Sequence, residues 1–318
     1  MLVIFAAFKN EVNGLLKSMS RKKNVKNFKS RIYTGEIFNH EIIVVITGMG
    51  KLNAAIGVND IILMNLTDPV FLIQGISGAL VENLKIGDLV IYETIKNIEI
   101  PVGDHIRLNS LNDTVCIKQS IKLQANENEF KKEDEDFKNL RLKAVLENKR
   151  SGSHTDGFNL EEIKLIKEIN NSGPDVQVNI KDNAISDTNI NVLKIPGATV
   201  PGVVTSYADK ITLNKTYGVE AIDMESFYIA DAAIKKGIPV ICIRSISDNL
   251  IESIPGFFAE SDRNGIFKRF MFLLKVLFSR SKAKSVLKTI KNINLANKNL
   301  NVYILKTVLP FLGYTRQY

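Results

Sequence analysis

Residues 219–248 read VEAIDMESFYIADAAIKKGIPVICIRSISD, and the fold turns on them. A short apolar segment runs into two carboxylates, Asp223 and Glu225, on either side of Met224. An amphipathic helix follows, carrying the small residues Ala230, Ala232 and Ala233, with Gly237 as its C-terminal stop. Residues 239–243 (PVICI) form an unbroken apolar run of the length of a fully buried strand, and the run ends in Arg244, Ser245, Ile246, Ser247 and Asp248. A polar cluster at the carboxyl end of a buried strand is where open α/β sheets hold their ligands. Asp223, Glu225 and Asp248 equally suit helix caps. This stretch alone leaves both readings open.

The same alternation opens the chain. Residues 2–7 (LVIFAA) read as a strand entering a helix over 10–19, with Glu11 in its first turn. An acidic side chain there suits the helix dipole; it also sits just past a strand end, facing any cleft. A basic polar segment over 20–31 leads into a hairpin of 31–37 and 41–47. The glycine turn TGMGK (47–51) then enters a small-residue helix; it lacks the spacing of a phosphate loop and reads as a tight strand-to-helix turn. Residues 69–74 (PVFLIQ) are a further buried strand, ending in Gly75, Ile76, Ser77, Gly78 and Ala79. Two glycines about a serine let backbone amides approach a ligand or anion. Residues 84–93 give a turn and another strand. Strand and helix alternate, so the fold class is α/β.

Composition narrows the function classes. The chain has 318 residues, enough for one large α/β domain with an appendage, and it carries a net charge of +8. That charge is uneven. Residues 256–318 hold twelve Lys and Arg against Glu260 and Asp262, so the rest of the chain is slightly acidic and shows no nucleic-acid footprint. Two cysteines, Cys116 and Cys242, with Cys242 inside a strand pattern, speak against a disulfide framework and for a reducing, cytoplasmic compartment. Three scattered histidines give no metal site. No apolar run reaches the roughly 18 residues of a spanning helix, and residues 1–8 lack the features of a signal peptide. The middle of the chain is less legible. Residues 125–182, with the charge run NENEFKKEDED, read mainly as a surface insertion carrying helices at 137–146 and 160–169 and a short strand at 176–180. The ordered core resumes at 203–211.

Five separated pieces, AAFKNEV, TGMGKLNAA, QGISGAL followed by LKIGDLV, AIDMES and RSISD, resemble the nucleoside phosphorylase and nucleosidase superfamily. They are most similar to its methylthioadenosine/S-adenosylhomocysteine nucleosidase-like branch. The resemblance covers about 1–95 and 200–250 and implies a three-layer α/β/α sandwich around a mixed, mostly parallel twisted sheet. It also implies cleavage of the N-ribosidic bond of a purine nucleoside, releasing adenine, by an oxocarbenium-like route akin to glycoside hydrolysis. Under it, Asp248, beside Ser247, matches the aspartate that serves the purine N7. Glu225 matches the glutamate on the ribose hydroxyls, with Asp223 alongside and Met224 against the sugar. Ser77 and Gly78 lie near the anion or water site, and Glu11 matches the carboxylate that activates water in the hydrolytic branch. Ile76 stands where the family often has a serine and no arginine pair for phosphate is evident, which leaves water or phosphate open as the nucleophile. Arg244 reads as structural, and Tyr207, Lys210 and Ile211 fill the base-pocket segment without a clear match. No cofactor is implied beyond inorganic phosphate as co-substrate of a phosphorylase. Homo-oligomers are the family's habit.

The tail carries a separate signal. Residues 267–279 form an apolar helix with Lys268, Arg269 and Lys275 interspersed, followed by the basic SRSKAKSVLKTIKN. Such a pattern suits a peripheral helix on the anionic inner face of a membrane, and equally a terminal helix packed on the core with a basic outer face. The tail resembles the hopanoid-associated members of the superfamily, which implies an adenosyl-lipid such as adenosylhopane as substrate. The sequence therefore divides as a catalytic domain over 1–255 and a basic helical extension over 256–318. A soluble methylthioadenosine-type nucleosidase and a non-catalytic, membrane-associated nucleoside-binding protein are the alternatives.

Overall fold

The structure is a computed structural model of the chain and describes residues 1–99, 114–116, 190–251 and 280–312. The insertion over 125–182 with its helices and strand, the apolar helix over 267–279 and the boundary at 255/256 lie outside the described residues.

Strand β1 (Leu2–Ala6) is buried at every position. A 3-10 turn (Lys9–Val12) and a short helix α1 (Asn13–Ser18) follow, where the sequence predicts one helix over 10–19. The break has a local cause: Glu11 Oε2 accepts the Phe8 amide at 2.9 Å, so its side chain folds back over the start of the turn. Strand β2 (Ser20–Val25) forms where the sequence offers only a basic polar segment. It is an edge strand with little burial on either face, so no apolar alternation marks it. β3 (Arg31–Ile37) and β4 (His40–Ile46) are the predicted hairpin. Helix α2 (Gly50–Leu63) starts at the glycine turn, then come β5 (Val70–Ala79), β6 (Leu89–Asn97), β7 (Thr114–Cys116) and β8 (Val192–Thr199). The order ends with α3 (Tyr207–Tyr217), β9 (Ala221–Asp223), α4 (Ser226–Lys235), β10 (Val240–Asp248) and α5 (Arg280–Tyr303), which runs on through a π turn to Phe311.

Among the described residues the strands form one ten-stranded mixed sheet. At its centre β1 pairs in parallel with β4 and β5, and β5 in parallel with β10. The antiparallel β2–β3–β4 meander extends one edge. On the other side β10 pairs with β6, β6 with β8, β8 with β9 and β9 with β5, so this half closes on itself. Successive residues of β1 divide between two cores, as a period of two requires. On one face Leu2, Ile4 and Leu72 pack with Leu15 of α1 and with Leu300 and Tyr303 of α5. On the other, Val3, Phe5 and Ile73 pack with Ala54, Val58 and Ile61 of α2 and Ala230 and Ala233 of α4. Helix layers on both faces make the α/β/α sandwich expected from the sequence.

Helix α5, from the basic tail, is thus part of the core layer and not a detached arm. It also braces the first strand's exit. Asn301 Oδ1 accepts the Leu15 amide at 3.3 Å, and its Nδ2 donates to the Glu11 carbonyl at 2.8 Å. The Glu11 carbonyl accepts a second bond from Gln74 Nε2 at 2.7 Å. No helix among the described residues is long and apolar enough to cross a membrane.

Candidate active site

The carboxyl ends of the parallel strands β1, β5 and β10 meet beside the start of α4. Most of the residues singled out in the sequence converge there, around one residue assigned no role at the site: Arg244. A guanidinium in the middle of a strand buried at all nine positions must find partners, because an unpaired buried charge is prohibitive. Arg244 Nη2 lies 3.3 Å from Asp223 Oδ2 and 3.8 Å from Glu225 Oε2, and Nε donates to Ser226 Oγ at 3.0 Å. The side chain crosses β5 at Gly75, where a Cβ would overlap Nη1 and stand 3.0 Å from Glu11 Oε1. Glycine at 75 therefore makes room for a side chain of the protein. Strand β5 continues through 75–79, and its Ile76 amide donates to the Glu11 carboxyl at 3.2 Å.

Asp223 caps α4 and pairs with Arg244. Its Oδ1 accepts the Glu225 and Ser226 amides, each at 2.9 Å, and the Thr199 hydroxyl at 2.9 Å. It thereby fastens the N-terminus of α4, while Oδ2 faces Arg244. Glu225, at the N-cap position, caps nothing with its side chain. Instead its Oε1 accepts the Gly50 amide at 2.8 Å, which brings the TGMGK turn into the site. Gly48 and Gly50 hold φ of 93° and 84°, a backbone that ordinary residues resist, and that geometry aims the Gly50 amide. Burial pushes the Glu225 carboxyl up to about 8, against the pull of Arg244. Met224, partly exposed, stands between these two carboxylates in the chain.

Glu11 reaches the same place from β1. Its Oε1 accepts the Ile76 amide at 3.2 Å. Burial raises its carboxyl above the usual carboxylate range, opposed chiefly by Arg244. Glu11, Asp223 and Glu225 thus share one guanidinium.

Three residues along β5 lies the second half. Gly78 packs on the Asp248 carboxyl, its notional Cβ 3.0 Å from Oδ2. Ser247 Oγ donates to Asp248 Oδ1 at 3.0 Å or to the Ser77 carbonyl at 3.2 Å. Lys210, on α3 and fully buried, donates to Asp248 Oδ2 at 2.6 Å and to the Asn249 carbonyl at 2.7 Å. The Ser77 hydroxyl turns the other way and bonds to the Tyr92 hydroxyl at 2.9 Å, buried in the sheet. Among the described residues no three His, Cys, Asp or Glu side chains stand together as metal ligands.

Arg244, which the sequence reads as structural, is fixed by buried ion pairs, and Lys210 stands in another. For Arg244 a signal existed: a charge inside an apolar strand run demands a buried counter-charge. Lys210 falls in the base-pocket segment that has no clear match, and nothing in its sequence neighbourhood names Asp248 as its partner.

The family model of the phosphorylase superfamily matches residues 1–265. A 5'-methylthioadenosine/S-adenosylhomocysteine nucleosidase of Staphylococcus aureus (strain bovine RF122 / ET3-1) is 32% identical over 97 residues, 30% of this chain and 42% of that protein. One of Haemophilus ducreyi is 33% identical over 100 residues, 31% of this chain and 42% of that protein. The matched stretch is thus under half the length of these curated relatives. Among solved structures, the nucleosidase of Neisseria meningitidis in complex with methylthio-immucillin-A superposes with a TM-score of 0.58 at 16% identity, covering 96% of this chain and 97% of the other. Futalosine hydrolase of Helicobacter pylori strain 26695 gives 0.52 at 16% identity, covering 92% and 96%. These two likenesses are of fold.

Proposed function

The chain belongs to the phosphorylase superfamily, and on that premise we propose that it cleaves the N-ribosidic bond of a purine nucleoside, releasing adenine, with water as the attacking group. The observation that carries the reading is the placing of two differently charged groups of carboxylates along β5. Gly75, under Glu11 and Arg244, and Gly78, under Asp248, both lie near the carboxyl end of β5. A ribosyl group at the Glu11–Glu225 end would develop its positive charge among three carboxyl groups, and the base would lie against Asp248. Such an arrangement stabilises an oxocarbenium-like transition state more than the neutral substrate.

The choice of water follows from charge. A phosphate dianion beside Glu11 would meet a carboxylate, and the guanidinium beside it is already engaged by Asp223, Glu225 and Ser226. Water suits that position, with Glu11 accepting its proton; a raised carboxyl is a better base than an ordinary one. Glu225 would accept from the ribose hydroxyls while held by the Gly50 amide.

The finer substrate proposal is a nucleoside carried on a lipid and met at an anionic membrane face, by a homo-oligomeric enzyme. Lys284, Leu287, Lys288, Lys291, Leu295 and Lys298 recur at helical spacing along the outer side of α5, all exposed, and residues 280–312 contain no Asp or Glu. Such a face suits anionic lipid. The test is a substrate panel: adenosine, methylthioadenosine, and an adenosyl-lipid in vesicles with and without anionic lipid, following free adenine. Adenine release from the simple nucleosides is expected, and faster turnover of the lipid substrate in anionic vesicles. No release from any of them would end the enzymatic reading; equal turnover in neutral and anionic vesicles would end the membrane part alone.

A further inference from the structure

Asp248 Oδ2 lies 2.6 Å from the Lys210 ammonium, so any proton Asp248 gives to a departing base passes between these two groups. The pair is dry: the Lys210 side chain is inaccessible and that of Asp248 is 7% exposed. Lys210 also donates to the Asn249 carbonyl, next in the chain, so its Nζ is fixed toward one carboxyl oxygen. Helix α3 sets this geometry, with Ser206 Oγ capping the Asp209 amide at 3.0 Å and Gly218 closing the other end at a φ of 62°. Burying an ammonium for packing alone is costly, whereas a buried pair that shares one proton has a chemical use.

We propose that Lys210 is a positioning residue that supplies, through Asp248, the proton taken by the leaving purine. The proposal rests on the nucleosidase reading above. At rest the pair is ammonium and carboxylate. When a purine covers Asp248, the proton moves from Nζ to Oδ2, leaving a neutral amine and a carboxylic acid. As the C1′–N9 bond breaks, its electron pair goes to the base, N7 takes the proton from Asp248, and the purine leaves neutral. The water that adds to C1′ gives its proton to Glu11. Glu11 releases that proton to solvent and Lys210 takes one back, so charge and atoms balance over a turnover. Among the described residues Nζ donates to Asp248 and to the Asn249 carbonyl of the β10 end, and β5 presents Gly78 to the Asp248 carboxyl. Asp248 thus touches the base and Lys210 loads it.

The test compares leaving groups in Lys210→Met and Lys210→Arg at one fixed pH. Adenosine needs its base protonated; p-nitrophenyl β-riboside does not, because nitrophenolate leaves as an anion. Both variants are expected to lose on the order of 100-fold or more in adenine release, the usual scale of general acid catalysis, while nitrophenolate release changes less than about threefold. Arginine is the sharper case, since it keeps the positive charge beside Asp248 but does not give up its proton. Wild-type adenine release by Lys210→Arg, or equal losses on both substrates in both variants, overturns the proposal. A wild type inactive toward both substrates overturns the nucleosidase reading, and this proposal with it.

Discussion

The two ends of the site use the same residue types to opposite effect. At the Glu11–Glu225 end three carboxylates share one guanidinium, and burial wins over attraction: both glutamates are pushed above the usual carboxylate range. At the Asp248 end the carboxylate accepts from an ammonium at 2.6 Å. On the proposed function, the first end takes the developing sugar cation and the second the proton hand-over. What a carboxylate does is set by how many others compete for its counter-charge. β5 makes the contrast possible, because glycine at 75 and at 78 lets side chains of β10 lie directly on the strand at two points.

Removing the shared cation should break the first end most severely. Arg244→Met removes the cation that Asp223 and Glu225 pair with and that faces Glu11, and losing one member of a buried ion pair costs about 3–5 kcal/mol. Denaturant unfolding is expected to show a loss of that size, smaller at acid pH where the carboxylates take up protons. A loss under about 1 kcal/mol would mean that the guanidinium does not hold this end together.

A smaller effect sharpens the comparison through pH. Glu225 titrates from an ordinary 4.5 in the unfolded chain to about 8 in the fold. Between those values the folded state keeps a proton that the unfolded state has lost, so this group's contribution to stability is full below 4.5 and declines as pH rises to about 8. Thermal melts should show Tm falling across that window. Glu225→Gln, which keeps an acceptor for the Gly50 amide, should flatten the fall. An identical slope in the variant would contradict the assignment.

The fold was legible because its central strands are apolar runs bounded by glycine turns. LVIFA, PVFLI and PVICI each announce a buried parallel strand. What escaped were elements whose burial pattern carries no such mark. β2 is exposed on both faces, and β8 begins with VLKIPG, where Lys194 and Pro196 interrupt the apolar run. At the site, Glu11, Asp223, Glu225 and Asp248 stood out because carboxylates at strand ends are either caps or ligands. Ser77 stood out for its flanking glycines, yet its hydroxyl faces Tyr92, since a strand continuing through 75–79 sends alternate side chains to opposite faces. The positive partners were hidden. Sequence spacing does not reveal that a lysine on α3 meets an aspartate 38 positions later. The tail illustrates the same limit: its lysines suggested a surface helix, while Asn301, which reads as an ordinary polar residue, ties α5 to the backbone of Glu11.

The central claim is that the carboxylate-rich end admits water and not phosphate. Turnover of methylthioadenosine in ¹⁸O-labelled water, with and without inorganic phosphate, tests it directly. The account predicts free sugar carrying one heavy oxygen at C1, formed at a rate indifferent to phosphate. A sugar 1-phosphate product, formed only when phosphate is present, would contradict it.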